Sequence, residues 1–331
     1  MKHSLSTINF FNSYFELLKH EDIAHVILHT YEQYPERLHS DVDYCVSDQN
    51  LRRVIPLLYA HCVNSGWKLV QIMQHEVKAF FCICVSSQNP NNFIQLDVCS
   101  HYMREGKVLI KADDLLRNRR KLKHKSFYIP AVGVEFCYIL WKSVAKRKLI
   151  GEMFNSLGDL YNADPAQCRE IMETLQMTCS EDSFRSWDQD GKKIHQKLVN
   201  RYHKQSVDYR RGQTKKWIAR VRQPTGLYLI LPQNSPGLNT KSVASQLSPL
   251  FRSTHVESET KLSPRVYKEI LRSTLVISLQ GDRRCGILTV LASTQQAVLQ
   301  IGSIDQGRAI ETVLDYLETR LVKRYGIRAL C

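Results

Sequence analysis

Two aspartates separated by one residue, Asp41 and Asp43, have the spacing in this sequence that most clearly permits chemistry. They begin a short segment that predicts a strand, and side chains two apart on a strand point to the same face. Neighbouring carboxylates repel and raise each other's pKa unless a cation lies between them. Asp97 interrupts an apolar segment and is the candidate third acid on a neighbouring strand. The three acids predict a site for Mg²⁺ or Mn²⁺, which prefer oxygen ligands, although an exposed strand end would explain the same Asp-x-Asp spacing without any function.

Further candidate binding residues lie close to these acids or on a predicted helix. Lys142 and Lys146 are four residues apart, which places both on one face of a helix, where they could bind an anionic substrate. Ser40 precedes Asp41 and could contact a phosphate, or it could simply start the strand. His39 is a weaker candidate for the same phosphate.

The elements that must position these residues predict a mixed α/β (α+β) chain. Residues 1–150 form the first domain, residues 151–222 form a helical extension and basic linker, and residues 223–331 form a small α/β domain. Apolar periodicity in the first domain separates strands from helices. The predicted strands cover 24–31, 40–47, 68–73, 78–85 and 92–100, and the predicted helices cover 5–20, 48–66, 111–125 and 132–149.

Charge and composition limit the class of protein. The chain has 331 residues, 43% of them apolar, and a formal net charge of +14. Residues 192–222 contain eleven Lys or Arg and one acid, and residues 117–125 are also strongly basic. Such runs attract an anionic partner, or they form a solvated face. No Cys-x-x-Cys pair occurs, which argues against a zinc ribbon. No apolar run approaches the ~20 residues of a membrane span, so we expect no transmembrane segment and a cytoplasmic protein.

Two stretches of the chain resemble a known superfamily. The run VILHTYEQYPERLHSDVDYCVSDQNLRRVIPLL resembles the core of bacterial nucleotidyltransferase-superfamily proteins. The run from NFIQLDVCS to the helix that begins VEF resembles the subgroup found in front of thymidylate-kinase-like P-loop domains in polysaccharide gene clusters. The resemblance implies a nucleotidyltransferase-like mixed sheet. It also implies that Asp41, Asp43 and Asp97 hold two Mg²⁺ ions that bind an NTP, and that the third acid draws a proton from an acceptor hydroxyl. Where the superfamily has a small Gly-Ser pair that cradles the triphosphate, this chain has His29-Thr30, which makes Thr30 a candidate nucleotide contact.

The C-terminal domain begins like a P-loop domain but lacks its glycines. A strand, a loop, the pair Lys241-Ser242 and a helix follow one another as in a nucleotide-binding P-loop. Ser235 and Thr240 occupy the positions of the two motif glycines, whose role is to let backbone N–H groups wrap a phosphate. The pattern predicts a degenerate kinase-like domain kept for packing or for binding a partner.

Three functions follow from these observations. The first is a Mg²⁺-dependent nucleotidyltransferase that moves an NMP from an NTP to a hydroxyl of a sugar, glycan, other small molecule, RNA or protein. The alternative is a catalytically eroded module that binds an anionic partner through residues 192–222. A weaker alternative is a thymidylate-kinase-like small-molecule kinase that uses Lys241 and Ser242.

Overall fold

The chain has the α+β architecture that the sequence predicts. The computed structural model describes residues 4–38, 40–104, 106–177, 186–203, 214, 226–232, 238–251, 254–256, 275–279, 296–302 and 305–325. The chain divides into two compact units. One comprises Met1–Ile55, Gln74–Phe81 and Gln95–Lys216, and the other comprises Pro56–Met73, Cys82–Ile94 and Trp217–Cys331.

The described helices and strands alternate along much of the chain. The helices are α1 (Leu5–His20), α2 (Leu51–Asn64), α3 (Ala112–Leu116), α4 (Val132–Lys146), α5 (Gly151–Ala163), α6 (Pro165–Thr174), α7 (Trp187–His203), α8 (Thr240–Leu247) and α9 (Gln306–Tyr325). The strands are β1 (His25–Ile27), β2 (Val42–Val46), β3 (Trp67–Glu76), β4 (Ala79–Ser86), β5 (Phe93–Cys99), β6 (Tyr102–Arg104), β7 (Lys107–Ile110), β8 (Arg120–Lys121), β9 (Tyr128–Ile129), β10 (Gly226–Leu231), β11 (Thr254–Val256), β12 (Leu275–Leu279) and β13 (Gln296–Gln300). Among the described residues, no helix combines the length and the apolar character that a bilayer crossing requires.

The principal sheet is mixed and has the strand order β1-β2-β5-β4-β3. β1 runs antiparallel to β2, whereas β2 runs parallel to β5. Parallel neighbours need a crossover connection, and α2, β3 and β4 occupy the chain between them. The two strands that carry the predicted acids are therefore neighbours although they are far apart in sequence.

Helix α1 fixes the core face of β2. The side chain of Ser4 caps the helix by accepting a hydrogen bond from the backbone N–H of Thr7. Apolar residues at helical spacing predict a buried stripe of Leu5, Ile8, Phe11, Phe15 and Leu18, of which the last three are buried whereas Leu5 is exposed. The Phe15 ring lies 5.5 Å from the Tyr44 ring, and the Tyr14 hydroxyl lies 2.7 Å from that of Tyr44. Because side chains alternate along a strand, the residues on either side of Tyr44 point away from α1.

Helix α4 is held by the helices that follow it. Gly133 lies so close to α6 that an added Cβ would sit 2.6 Å from the backbone oxygen of Gln167. The Gly133 N–H also donates a 2.8 Å hydrogen bond to the Gln167 side chain. One turn further on, the Phe136 ring meets the Trp187 ring edge-on at 5.2 Å. These contacts fix which face of α4 remains available to the sheet.

The basic segment 117–125 departs from its predicted structure. The helix expected over 111–125 extends only through α3 and ends at Leu116. Asn118 and His124 then adopt positive φ values of 53° and 62°, and β8 pairs antiparallel with β9. The helix prediction was wrong because adjacent cations on one helix repel, whereas the observed conformation brings several of them to acidic partners.

The second sheet lies in the C-terminal part and is parallel throughout its described pairings. Its order is β11-β12-β10-β13, and β10 pairs in parallel with both β12 and β13. Every residue of β10 is buried, as expected for the interior strand of a parallel sheet. Helix α8 is the next described element after β10, so a strand precedes a helix here as the sequence predicts. Residues 233–237 of the predicted loop, with Ser235, lie outside the described residues.

Candidate metal centre

The three predicted acids come together at the junction of β2 and β5. Asp43 pairs directly with Asp97 in the parallel register of these strands, and Asp41 lies just before β2. One ligand atom from each of the three carboxylates can be chosen so that all lie within 4.8 Å of one another. Val42, between the first two acids, is fully buried, so the alternation expected of a strand turns both acids to one side.

Three polar groups contact one of the two oxygens of Asp43. Its Oδ2 lies 2.6 Å from Nε2 of His29, 2.8 Å from Nζ of Lys142 and 3.3 Å from the hydroxyl of Tyr138. Lys142 also contacts Nε2 of His29. Burial raises the pKa of Asp43, but the hydrogen bond from His29 and the charge of Lys142 outweigh it and hold the pKa below its usual range. Among the described residues, none hydrogen bonds to Oδ1 of Asp43.

Asp97 has a different environment and the opposite pKa shift. Its Oδ1 lies 2.8 Å from Nε2 of His75. Burial raises the pKa of Asp97, and the charges of Asp43 and Asp41 add to that rise, while His75 opposes it. The same hydrogen bond raises the pKa of His75 in spite of its burial. Within the described part of the chain, Oδ2 of Asp97 makes no hydrogen bond.

The donor set fits a hard divalent cation. Asp41, Asp43 and Asp97 each keep at least one carboxylate oxygen without a hydrogen bond from the described residues. Mg²⁺ and Mn²⁺ favour such oxygen ligands and share them with substrate phosphates. The three acids could therefore hold a metal through these oxygens, while His29, Lys142 and His75 orient the other oxygens of two of them.

One face of α4 supplies the cations nearest to the acids. Tyr138, Lys142 and Lys146 follow one another at a spacing of four residues and so share a helix face. Lys142 contacts Asp43, as described above, and its Nζ lies 5.7 Å from the centre of the Tyr138 ring. Lys146 is exposed, yet the charges of Asp43 and Asp41 act on it. Lys142 thus lies beside the acids, and Lys146 shares its helix face and is affected by their charges.

The two small residues predicted to contact a nucleotide differ in their surroundings. Thr30 has a φ of 56°, in the left-handed region that favours glycine and is unusual for a β-branched residue. Its Oγ1 donates to the backbone oxygen of His29 at 2.8 Å and lies 3.0 Å from the Tyr34 hydroxyl. Ser40 is exposed and its Oγ lies 3.3 Å from the backbone oxygen of Asp41. His39 lies outside the described residues.

Cations of the segment 117–125 anchor the loop between β1 and β2. Arg120 lies 3.5 Å from Glu135, and the Tyr31 hydroxyl donates a 2.7 Å hydrogen bond to the same carboxylate. Lys125 donates to the backbone oxygen of Tyr34 in this loop. Burial raises the pKa of Glu135 to about 7, although Tyr31 and Arg120 oppose that rise. These two cations therefore position the loop that carries His29.

The Lys241-Ser242 pair lies at the start of α8, where the side chain of Asn239 caps the free backbone N–H groups of the helix. The Oδ1 of Asn239 accepts hydrogen bonds from the backbone N–H groups of Lys241 and Ser242 at 3.0 and 3.2 Å. The Ser242 hydroxyl accepts a 2.6 Å hydrogen bond from Gln306. The groups that would bind a phosphate and a metal in a P-loop are thus used within the protein.

The basic stretch 192–222 is described only in part. Residues 192–203 belong to α7, where Arg201 donates to the backbone oxygen of Gln176 at 2.5 Å and Lys192 lies 5.7 Å from the centre of the Phe154 ring. The remainder of the stretch, apart from Thr214, lies outside the described residues. Two of the cations in the described part are therefore engaged with the protein itself.

Several residues of the site are absent from the sequence-based prediction. Tyr138 lies one turn before Lys142, and helical spacing would have indicated it. His75 and Arg104 follow no spacing rule, and only the tertiary structure brings His75 to Asp97 and lets the charge of Arg104 act on His75. His29 stands in the segment compared with Gly-Ser, but its contact with Asp43 depends on tertiary structure.

No protein-family model, no curated protein and no solved structure matches this chain. The fold and the site define an α+β protein with a candidate three-carboxylate metal centre.

Proposed function

We propose that this protein is a Mg²⁺-dependent nucleotidyltransferase that moves an NMP from an NTP to a hydroxyl of an acceptor. The observation that carries the proposal is the convergence of Asp41, Asp43 and Asp97, whose ligand atoms lie within 4.8 Å of one another on two adjacent strands. The resemblance of the surrounding sequence to the nucleotidyltransferase superfamily supports the same reaction.

Each group of the site has a distinct task in this reaction. Bound Mg²⁺ would neutralise the triphosphate and polarise its α-phosphorus, so that the acceptor oxygen bonds to this phosphorus while the bond to pyrophosphate breaks and pyrophosphate leaves. Asp41, Asp43 and Asp97 would hold the metal, and Lys142 lies beside Asp43 where it adds positive charge. Asp97 accepts the proton of the acceptor hydroxyl at Oδ2, while His75 holds its Oδ1 in place. Such catalysis consists of positioning and charge neutralisation, and it requires no covalent bond to the protein.

One observation favours the alternative of an eroded binding module. Lys142 already neutralises Asp43 within the protein at 2.8 Å, and His29 contacts the same oxygen at 2.6 Å. In a site that has lost its metal, a cation of the protein would take the place of the metal beside the carboxylate, as Lys142 does here. The kinase alternative is weaker, because Asn239 occupies the N–H groups of Lys241 and Ser242.

The decisive experiment measures the transfer of label from α-labelled NTPs into a cell extract with Mg²⁺ or Mn²⁺. We expect label with the wild type, none with Asp43→Ala, and unchanged transfer with Asp159→Asn, an exposed acid of α5. Absence of label from every NTP, together with unfolding that ignores Mg²⁺, would reject the proposal in favour of the binding module. Transfer of a γ-label that Lys241→Ala abolishes would instead support the kinase.

A further inference from the structure

Arg104 is a partly buried cation that forms no ion pair with an acid among the described residues. It ends β6, the strand that follows Asp97 and β5 along the chain. Its guanidinium lies 5.8 Å from the centre of the Tyr102 ring, and its Nε lies 3.5 Å from the hydroxyl of that residue. In the described part of the chain, no carboxylate lies within ion-pair distance of Arg104.

Two aromatic rings connect Arg104 to the carboxylates. The Tyr102 ring meets the Tyr138 ring edge-on at 4.7 Å, and the Tyr138 hydroxyl donates to Asp43. Lys142 lies over the other ring of this pair, 5.7 Å from the centre of Tyr138. Arg104 therefore contacts the same pair of aromatic rings, Tyr102 and Tyr138, as Lys142, the cation that binds Asp43.

Lys146 is the second cation without a partner at this site. It lies one turn after Lys142 on the same face of α4, and no described residue forms an ion pair with it. Burial lowers the pKa of Lys146, and the positive charges of Lys142 and Arg104 lower it further. Arg104 lies against the Tyr102 ring, which packs on Tyr138, and Lys146 lies on the face of α4 that carries Tyr138 and Lys142, so an anion at this face would meet both cations.

We propose that Arg104 and Lys146 bind a phosphate group carried by the acceptor. A phosphate ester carries about −1.5 to −2 charges at pH 7, which matches two cations that form no ion pair with any described residue. The planar guanidinium binds phosphate through two parallel hydrogen bonds, and a lysine adds a point charge. The assignment to the acceptor rests on the proposed function, in which Asp97 receives the proton of the acceptor hydroxyl. Arg104 belongs to the strand after Asp97, and its charge acts on His75, the partner of Asp97.

The test uses inorganic phosphate as the probe and isothermal titration calorimetry as the measurement. Phosphate is titrated into the full chain at low salt, first in EDTA and then with Mg²⁺ and saturating α,β-methylene-ATP. We expect binding in both conditions, weakened about 10- to 100-fold by Arg104→Gln and by Lys146→Met. Lys121→Met removes an exposed cation of β8 and serves as the matched control, with unchanged binding expected. Arg104→Lys keeps the positive charge but removes the two parallel hydrogen bonds of the guanidinium, so it should weaken binding by an intermediate factor.

Each other outcome contradicts a defined part of the proposal. Phosphate that the ATP analogue displaces would assign the two cations to the NTP. Absence of phosphate binding, or binding that Arg104→Gln leaves unchanged while its thermal midpoint matches the wild type, would overturn the phosphate site. Failure of the analogue to bind would reject the proposed function and the role of the acceptor, whereas phosphate binding through Arg104 would still be measured in EDTA.

Discussion

Replacement of Asp97 by asparagine tests whether the three acids form a metal site or only pack together in the fold. The substitution keeps the shape of the side chain and removes one of three charges whose ligand atoms lie within 4.8 Å of one another. In the metal-free protein the removed charge is unfavourable, because burial and the charges of Asp43 and Asp41 raise its pKa. In the metal-bound protein the carboxylate of Asp97 would be a metal ligand, and its charge would be favourable.

The geometry sets the expected magnitude. Two unit charges about 5 Å apart repel by about 3 kcal/mol at an effective dielectric constant of about 20. The Asp97 side chain is 19% exposed, so solvent screens part of this repulsion. Loss of the charged hydrogen bond to His75 costs about 1.5–3 kcal/mol and offsets most of the remainder. We therefore expect Asp97→Asn to change the free energy of unfolding in EDTA by no more than about 1 kcal/mol.

The assay is thermal unfolding in EDTA and across a Mg²⁺ titration. A ligand that binds only the folded state at about 100 times its Kd adds about 2.7 kcal/mol, which raises the midpoint of a protein of this size by several degrees. We expect that rise in the wild type and in the control Asp159→Asn, and its absence in Asp97→Asn. The reasoning is refuted if Asp97→Asn responds to Mg²⁺ as the wild type does, or if the substitution alone costs several kcal/mol in EDTA.

Three further substitutions test the surrounding structure. Glu135 has a folded pKa of about 7, above its unfolded value, so the wild type should lose up to about 3 kcal/mol of stability as the pH rises from 5 to 8. Glu135→Gln should remove that slope in urea unfolding at several pH values, and parallel curves would contradict the assignment. Gly133→Ala should cost about 1–3 kcal/mol, because the new Cβ would lie 2.6 Å from the backbone oxygen of Gln167. Gly151→Ala, where a Cβ meets nothing within 4 Å, is its control and should not lower the unfolding midpoint. Asn239→Ala should cost about 1 kcal/mol by removing the cap of α8, and unchanged chemical denaturation would show that the cap contributes nothing.

The positions of the acids were accessible from sequence because strand geometry is local. The spacing of Asp41 and Asp43 placed both on one side of a strand, and Asp97 was identifiable as a charge inside an apolar segment. The helical spacing of Lys142 and Lys146 was equally local, and in the structure both lie on one face of α4, from which Lys142 contacts Asp43. Each of these predictions depends on a repeat of two or about four residues, which the backbone imposes without regard to distant contacts.

The basic runs show where local spacing misleads. The segment 117–125 predicted a cationic helix that would attract an external anion, but Arg120 and Lys125 instead bind Glu135 and the loop after β1. A cation is attracted by the nearest carboxylate that the fold brings to it, and sequence alone does not reveal that neighbour. The same limitation concealed Asn239, whose side chain occupies the start of α8.

The sequence by itself determined the α+β class, the existence of helices α1 and α4 and the face on which the acids lie, because these follow from periodic patterns that backbone geometry imposes. Only the tertiary structure decided that β2 and β5 are neighbours, that His29 and Lys142 bind Asp43, and that His75 binds Asp97. Strand pairing and hydrogen bonding between distant residues depend on the packing of the whole chain. The pKa of Asp43 therefore falls and that of Asp97 rises, although both are aspartates on adjacent strands.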